Sequence, residues 1–471
     1  MEQLPKRKDI INYGQWIQPT LPGTFWSHWH EADDLKTITL QQGMHPLIFL
    51  NGHSINLKQD VTTMADIIKK VTATSLGTKQ YTRAIEKLGQ RYKQEHLAVL
   101  KKDKKPSVYI PTLFLSYKNA VGLWWFMIPL STELEKYIRQ QWPKVSNEEL
   151  FYATRPIKLL LLELQQKSIA QIARKVQKAF PNLKAHHLSI AKVKTHPVIW
   201  KAVQNHTEQF VWYGTHHWGG TAYTTAECLK EVQDFLKNSR RKSISTHQKS
   251  TIPKAIAQLA GTINYWRTHM AELTSKVVFL SRPVLIKLAK QWNLSYEDLT
   301  YLSHTEILNN LGTNSLSATL RQAITQRKAG YGCILDNKNN EHIYTGSKLK
   351  ALLQSLVETE IVKSDTVTGM VASIGPEVKA KAKIIMSPQD FAKFNKGDVL
   401  ITNETTPDFV PLMKIASAVV TDIGGITSHA AIISRELQMP CIVGTKIATK
   451  IFKDNMRVKV DTQKGQVIIL K

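Results

Sequence analysis

The alternation of apolar and polar positions divides the chain into three stretches of different character. Residues 1–60 are aromatic and irregular: Trp16, Phe25, Trp26 and Trp29 crowd near His28 and His30, with short strand patterns over 37–40 and 46–50. Such residues are expected as core anchors with a polar handle rather than as a ligand site. Met64, Ile67, Ile68 and Val71 keep helical spacing, as do Ile85, Leu88, Tyr92 and Leu97, so 61–104 reads as helix. Between Ser107 and Pro129 the runs Val108-Tyr-Ile, Leu113-Phe-Leu and Val121 to Ile128 predict a buried hairpin, its turn near Lys118-Asn119. Ser131 or Thr132 then caps a helix reaching Gln141.

Residues 146–345 read as mostly helical. Ser146 ahead of Glu148-Glu149 is a start signal, and Leu159 to Leu164 suggests a helix buried on most sides. Pro181 ends the next helix, and Gly219-Gly220 breaks the pattern after Trp212, Tyr213 and Trp218. A long helix is expected over 252–280, kinked near Gly261, with Arg282-Pro283 resetting the chain before Leu285 to Trp292. Residues 361–372 are polar and extended, a linker. Beyond them short apolar runs alternate with helical patterns, which predicts a compact α/β domain over 373–471. The expected whole is multidomain: a mixed, aromatic-rich region over 1–145, a helical domain over 146–360, the linker, and the α/β domain.

The composition is that of an ordinary globular protein, with 42% apolar residues. No apolar run has the length of a membrane helix, and the start of the sequence has no apolar core of a signal peptide. Three widely spaced cysteines suggest a reducing compartment, and together these features lead us to expect a cytoplasmic protein. The net charge is +26; residues 365–471 carry 14 basic and 10 acidic side chains, so the excess of +22 lies in the first three quarters. Dispersed lysines on solvated helix faces explain most of it; a surface for nucleic acid or an acidic partner is the other reading. Lys101 to Lys105 is the one dense run and marks a helix end before Pro106.

The candidate chemistry lies in Thr421-Asp-Ile-Gly-Gly-Ile-Thr-Ser-His-Ala-Ala-Ile-Ile-Ser-Arg435. A buried strand, Ala418 to Val420, runs into the tight turn of Gly424-Gly425, and Thr427 and Ser428 cap a helix. His429 falls in that helix's first turn, where unpaired N–H groups favour an anion. A neutral imidazole so placed is a competent nucleophile for a phosphoryl group. Arg435 lies under two turns further on, on another face, with a side chain long enough to lean back as a mobile positive charge. A lone histidine here would be an ordinary polar residue at a helix start. The adjacent pairs His186-His187 and His216-His217 make poor chelators, and no metal motif occurs, so no structural metal is expected.

The stretch resembles the phosphohistidine domain of the phosphoenolpyruvate-utilising enzymes, the family of phosphoenolpyruvate synthase, pyruvate phosphate dikinase and rifampicin phosphotransferase. The resemblance begins at Gly369-Met-Val-Ala-Ser-Ile-Gly-Pro and continues through Lys396-Gly-Asp-Val-Leu-Ile-Thr402. Thr405-Thr-Pro-Asp-Phe-Val-Pro-Leu-Met-Lys-Ile-Ala416 then leads to the histidine motif. Ala380 stands where the family more often has glycine. A fainter likeness covers Tyr265-Trp-Arg267, Leu294 to Ile307, and Arg327-Lys328 with Tyr331. The resemblance implies that His429 carries the phosphoryl group. It also implies that Thr427 and Ser428 position it, with Arg435 neutralising charge, and that Thr427 is a candidate regulatory phosphorylation site.

Full members of the family hold an ATP-grasp domain that charges the histidine. Residues 1–350 show no equivalent of its glycine-rich phosphate loop and no Walker A motif. The expectation is a phosphotransferase component that takes its phosphoryl group from a separately encoded ATP-grasp partner, with Mg²⁺ and ATP bound there. The linker would let the domain swing to an unknown acceptor. The alternative is a non-catalytic basic scaffold or nucleic-acid-associated protein with a relic carrier domain. A third reading is charging by phosphoenolpyruvate through a separate barrel protein.

Overall fold

The computed structural model describes residues 10–15, 30, 32, 35–39, 48–50, 53–213, 215–216, 218–237, 250–336, 338–356, 364–386, 388–405, 409–425 and 428–470. The aromatic cluster at 16–29, the start of the linker at 361–363, and Thr427 lie outside them.

Strands β1 (Ile10–Gln15), β2 (Ile48–Leu50) and β3 (His53–Leu57) open the fold. Helices α1 (Lys58–Thr72), α2 (Ser75–Ala98), α3 (Pro106–Gln141) and α4 (Asn147–Ala153) follow. A bundle comes next: α5 (Leu161–Ala179), α6 (Ile190–Lys194), α7 (Pro197–Gln209) and α8 (Thr225–Lys237), with the two-residue strands β4 (Thr215–His216) and β5 (Gly219–Gly220) before α8. The long α9 (Lys254–Gln291) returns the chain to the first core, followed by α10 (Tyr296–Leu299), α11 (His304–Asn310) and α12 (Ala318–Lys328). β6 (Gly332–Leu335) and β7 (Glu341–Tyr344) close the first sheet, ordered β1-β3-β2-β6-β7, with α13 (Gly346–Leu356) and, in the C-terminal unit, α14 (Val410–Met413) beyond them. One apolar core therefore draws on both sides of residue 145, from Ile67, Tyr92 and Phe126 to Trp266 and Leu285. The bundle α5–α8 packs around Ile172, Val203 and Val232, in an apolar cluster that continues into the C-terminal residues Leu400, Val410 and Ile432.

The hairpin expected at 107–129 is instead part of α3, one helix of 36 residues. Its apolar run is buried on nearly every side, from Tyr109 to Leu130, and such a run has no period that separates a strand from a buried helix. Pro111 and Pro129 lie within it, each removing one ladder hydrogen bond, and packing against the neighbouring helices outweighs that loss. Ser131, expected as a cap, instead donates back to the Ile128 carbonyl (2.8 Å) inside the helix. The chain is not reset at Arg282-Pro283 either, because α9 runs through Pro283 to Gln291. Gly261 serves a crossing: a Cβ there would lie 2.5 Å from the Arg155 carbonyl oxygen, and Ile157 N–H donates to the Gly261 carbonyl (3.3 Å). Thr37, expected in a strand, lies in a 3₁₀ turn over Leu35–Thr37.

α3 and α9 pack antiparallel through the core. Tyr109 and Ser281 join by their hydroxyls (2.8 Å) near one end, and Arg267 donates to Ser131 Oγ (2.8 Å) near the other. Trp266 lies flat on Gly89 of α2, where a Cβ would stand 2.3 Å from its ring.

The C-terminal unit is built on an eight-stranded sheet ordered β8-β15-β14-β10-β11-β12-β13-β9. Its strands are β8 (Thr366–Thr368), β9 (Met370–Ser373), β10 (Val378–Ile384), β11 (Val399–Thr402), β12 (Ala418–Thr421), β13 (Cys441–Val443), β14 (Arg457–Asp461) and β15 (Gln466–Ile469). β10 through β13 run parallel, and the fully buried residues of β11 and β12 fit a sheet covered on both faces. The later part of the polar linker, 366–372, is extended and paired into this sheet. Multidomain organisation, helix-rich at the front and α/β at the end, is what the sequence pattern predicted. Among the described residues no helix is long and apolar enough to cross a membrane.

Candidate active site

β12 delivers the chain to the site. After Thr421, Asp422 turns inward and is buried, its carboxylate accepting from Thr445 Oγ1 (2.8 Å) and from the Thr449 and Ala448 backbone N–H groups (3.2 and 2.5 Å). These bonds tie the end of β12 to the next loop. Gly424 then takes φ +112, a left-handed conformation that a side chain would strain. Ser428 caps the helix Gly425 leads into, α15 (His429–Glu436), its Oγ accepting from Ala431 N–H (3.3 Å). His429 is the first residue of α15, as the motif predicted.

The two ring nitrogens of His429 have different surroundings. Nδ1 is 2.8 Å from Thr405 Oγ1, while Nε2 is buried and has no hydrogen-bond partner. With Nδ1–H donating to the threonine oxygen, Nε2 keeps its lone pair. Burial, then the positive Arg267, lowers the pKa of His429 to about 3, so the ring is neutral near pH 7.

The front of the site belongs to the helical part. The carboxylate of Glu135, on α3, sits on Gly425: a Cβ there would lie 2.6 Å from Oε2. Glu135 is 8% exposed, and burial raises its pKa against the pull of Arg139, Arg267 and Arg435. Arg139 reaches Glu135 Oε1 (3.2 Å), Asn147 Oδ1 (2.8 Å) and Met370 Sδ (3.7 Å) of the C-terminal unit. Arg267, on α9, is so enclosed that burial lowers its pKa to about 10, opposed by Glu404 and Glu135. His429, Arg267, Glu135 and Glu404 thus form one charge-coupled group across the two units. Lys414 pairs with Glu231 of α8 (2.8 Å), a second tie between the units.

The sequence-predicted residues divide as follows. The structure brings Gly424, Gly425, Ser428 and His429 together in one turn. It places the Arg435 guanidinium 4.0 Å from the Phe151 ring centroid of α4, and its charge acts on Glu135. Sequence reasoning did not single out Thr405, Arg267, Glu135 or Glu404. Thr405 and Arg267 both stood within the family-like segments and were the legible ones; Glu135 had no signal, being nearly 300 residues from the turn it touches. Among the described residues no group of three or more His, Cys, Asp or Glu side chains is placed to hold a metal ion.

Comparison with known proteins points the same way. Residues 394–465 match the family model for the PEP-utilising enzyme, mobile domain. A probable phosphoenolpyruvate synthase of Archaeoglobus fulgidus is 48% identical over 125 residues, 26% of this chain and 16% of that protein. The phosphoenolpyruvate synthase of Pyrococcus furiosus is 55% identical over 84 residues, 18% of this chain and 10% of that protein. The rifampicin phosphotransferase of Bacillus cereus is 26% identical over 249 residues, 52% of this chain and 28% of that protein. The chain thus spans less than a third of the length of each of these relatives. The matched residues include β11, β12, the glycine turn and the histidine helix, so the C-terminal unit of this chain is similar to the mobile domain of the phosphoenolpyruvate-utilising enzymes.

Proposed function

We propose that this chain is a phosphotransferase component in which His429 Nε2 carries a phosphoryl group from a donor to an acceptor. The observation that carries the reading is the unequal state of the two ring nitrogens. Thr405 engages Nδ1, burial and Arg267 keep the ring neutral, and in the tautomer whose Nδ1–H donates to Thr405 the unpartnered Nε2 keeps its lone pair. In the charging step Nε2 attacks the donor's phosphorus and the bond to the leaving phosphate breaks. The ring then bears both Nδ1–H and the phosphoryl group. Its positive charge is offset by the phosphoryl oxygens and shared through the Thr405 hydrogen bond. The N–H groups opening α15 and the Arg267 guanidinium stabilise the phosphoryl oxygens as charge spreads over them.

The donor in this reading is a separately encoded ATP-grasp partner, which holds Mg²⁺ and ATP. Nε2 is shut from solvent while the domain rests on Glu135 and Arg267. Charging therefore requires the C-terminal unit to move away, and transfer requires its return. The acceptor binds at the helical face carrying Glu135 and Arg267, and the name of the rifampicin phosphotransferase relative supports an acceptor of small-molecule type.

The test is a search for phosphohistidine. The protein is incubated with Mg²⁺-ATP, with and without extract from its own source, and in parallel with phosphoenolpyruvate. Mass spectrometry at alkaline pH locates the label, with His429→Ala as control. A label at His429 that needs extract supports the split phosphotransferase. A label with ATP alone removes the separate donor, and a label with phosphoenolpyruvate replaces it. No label under any condition overturns the carrier reading and favours the basic binding protein.

A further inference from the structure

α9 carries a second polar stripe. Tyr265, His269, Glu272 and Lys276 recur at spacings of four, three and four, so they stack on one face, roughly opposite Arg267. That face meets α2. Trp266 lies on Gly89, and its Nε1–H donates to Glu86 Oε2 (2.8 Å). α2 runs antiparallel to α3, as the pairs His96–Ser116 and Glu95–Asn119 show, and α3 runs antiparallel to α9. α2 and α9 are therefore parallel, and one turn beyond the Gly89–Trp266 contact Lys93 comes level with His269.

The charges there do not balance. Lys158 pairs with Glu86, and its ammonium lies 5.4 Å from the Tyr265 ring centroid. Glu272 is engaged by the Leu161 and Leu162 N–H groups (3.0 and 3.1 Å) that open α5, with His269 Nδ1 4.0 Å away. Lys93 and Lys276 enter no ion pair among the described residues, although Lys276 is half-buried. Burial and Lys93 both lower the Lys276 pKa, and all three lysines act on His269 together with its burial. His269 itself is 5% exposed, is stacked on Tyr265 (4.9 Å, 14°), and neither ring nitrogen has a hydrogen-bond partner. A buried imidazole with two unsatisfied nitrogens, beside two ammonium groups without ion-pair partners, offers both charge and a buried polar contact to an anion.

We propose that Lys93, Lys276 and His269, bordered by Lys158, bind a compact phosphate-bearing anion at a site separate from the His429 turn. Lysine ammonium groups suit phosphate as point charges, and His269 supplies the buried polar contact. The site stands independently of the carrier reading. Free phosphate and the phosphate of a small metabolite share this chemistry.

Thermal unfolding and calorimetry of the full chain with inorganic phosphate, and separately with glycerol 3-phosphate, distinguish them at constant ionic strength set with chloride. Saturable stabilisation by either is expected, the tighter identifying the source, with binding at least tenfold weaker in Lys93→Gln/Lys276→Gln. The unliganded double variant folds and unfolds no earlier than wild type, because like-charge repulsion is removed. Ring ¹⁵N signals of His269 move on phosphate addition, and His429→Ala retains the response. Equal stabilisation by chloride, an unchanged response in the double variant, or immobile His269 signals overturn the site.

Discussion

Gly425 of the histidine turn lies directly under the carboxylate of Glu135, so close that a Cβ on it would meet Oε2 at 2.6 Å. The two residues belong to different units, and the contact joins the C-terminal unit to the helical part. Gly425→Ala is expected to lift the turn from α3, because Arg139 restrains the carboxylate and gives it little room to retreat. Hydrogen exchange over 428–436 should rise in this variant and return toward wild type in Glu135→Ala/Gly425→Ala. Unchanged exchange in the single variant would show that the contact does not seat the domain.

Thr405 is the partner of His429 Nδ1. Replacing it by valine keeps the shape and removes the oxygen, leaving the ring free to rotate and change tautomer. Loss of one such hydrogen bond, about 1 kcal/mol, corresponds to roughly fivefold to tenfold slower phosphorylation of His429. Thr405→Ser should recover most of the rate. Chemical phosphorylation by phosphoramidate, followed by phosphorus NMR, measures it without the partner.

Docking should depend on pH in a definite direction. The docked His429 has its pKa lowered to about 3 from an ordinary 6.5, by burial and by Arg267. The undocked ring binds protons more readily, so docking is complete above about pH 6.5 and is lost progressively as pH falls toward 3. Small-angle scattering between pH 7.5 and 5 should show expansion at the acid end. His429→Ala should remove this component of the pH dependence; identical profiles for the two proteins would refute it.

Arg267 should act on chemistry more than on folding. Arg267→Gln removes the cation beside His429 while leaving a side chain able to donate to Ser131. The His429 pKa should rise in NMR titration, and phosphoryl transfer to acceptor should fall by about 10²-fold or more, as for loss of one preorganised charge. Wild-type transfer with an altered pKa would confine Arg267 to an electrostatic role in docking.

Gly89 tests the helical core. Its missing side chain makes room for the Trp266 ring. Gly89→Ala should cost about 1–3 kcal/mol in denaturant unfolding, since the indole is fully buried and tethered to Glu86. A neutral result would mean that the ring repacks freely.

Legibility in the sequence differed between the two parts for a physical reason. The C-terminal domain is made of short local units: Ala418 to Val420, the glycine pair, the Ser428 cap and His429 follow one another within a dozen residues. Each step is dictated by its neighbours, and the family-like pattern extends over the same stretch. In α3 the apolar residues Val121 to Ile128 are buried on nearly all sides, so no polar face marks the period and the run resembles strands. Pro283 broke the expected helix for a similar reason, because its local penalty is visible in sequence and the compensating packing around Val284 and Leu285 is not.

By itself the sequence determined the multidomain layout, the α/β character of the last hundred residues, the histidine and the turn that presents it. Local propensity, capping and glycine geometry act over a few residues and set the elements and the turn, while the family resemblance singled out the histidine. Only the tertiary structure decided what stands opposite that histidine. Glu135, Arg267 and Glu404 lie far apart in the chain and act on one another because α3 and α9 cross one core and the C-terminal unit packs against α3. Which nitrogen of His429 is held, and which is left for chemistry, depends on those long-range contacts, where burial and neighbouring charge override local preference.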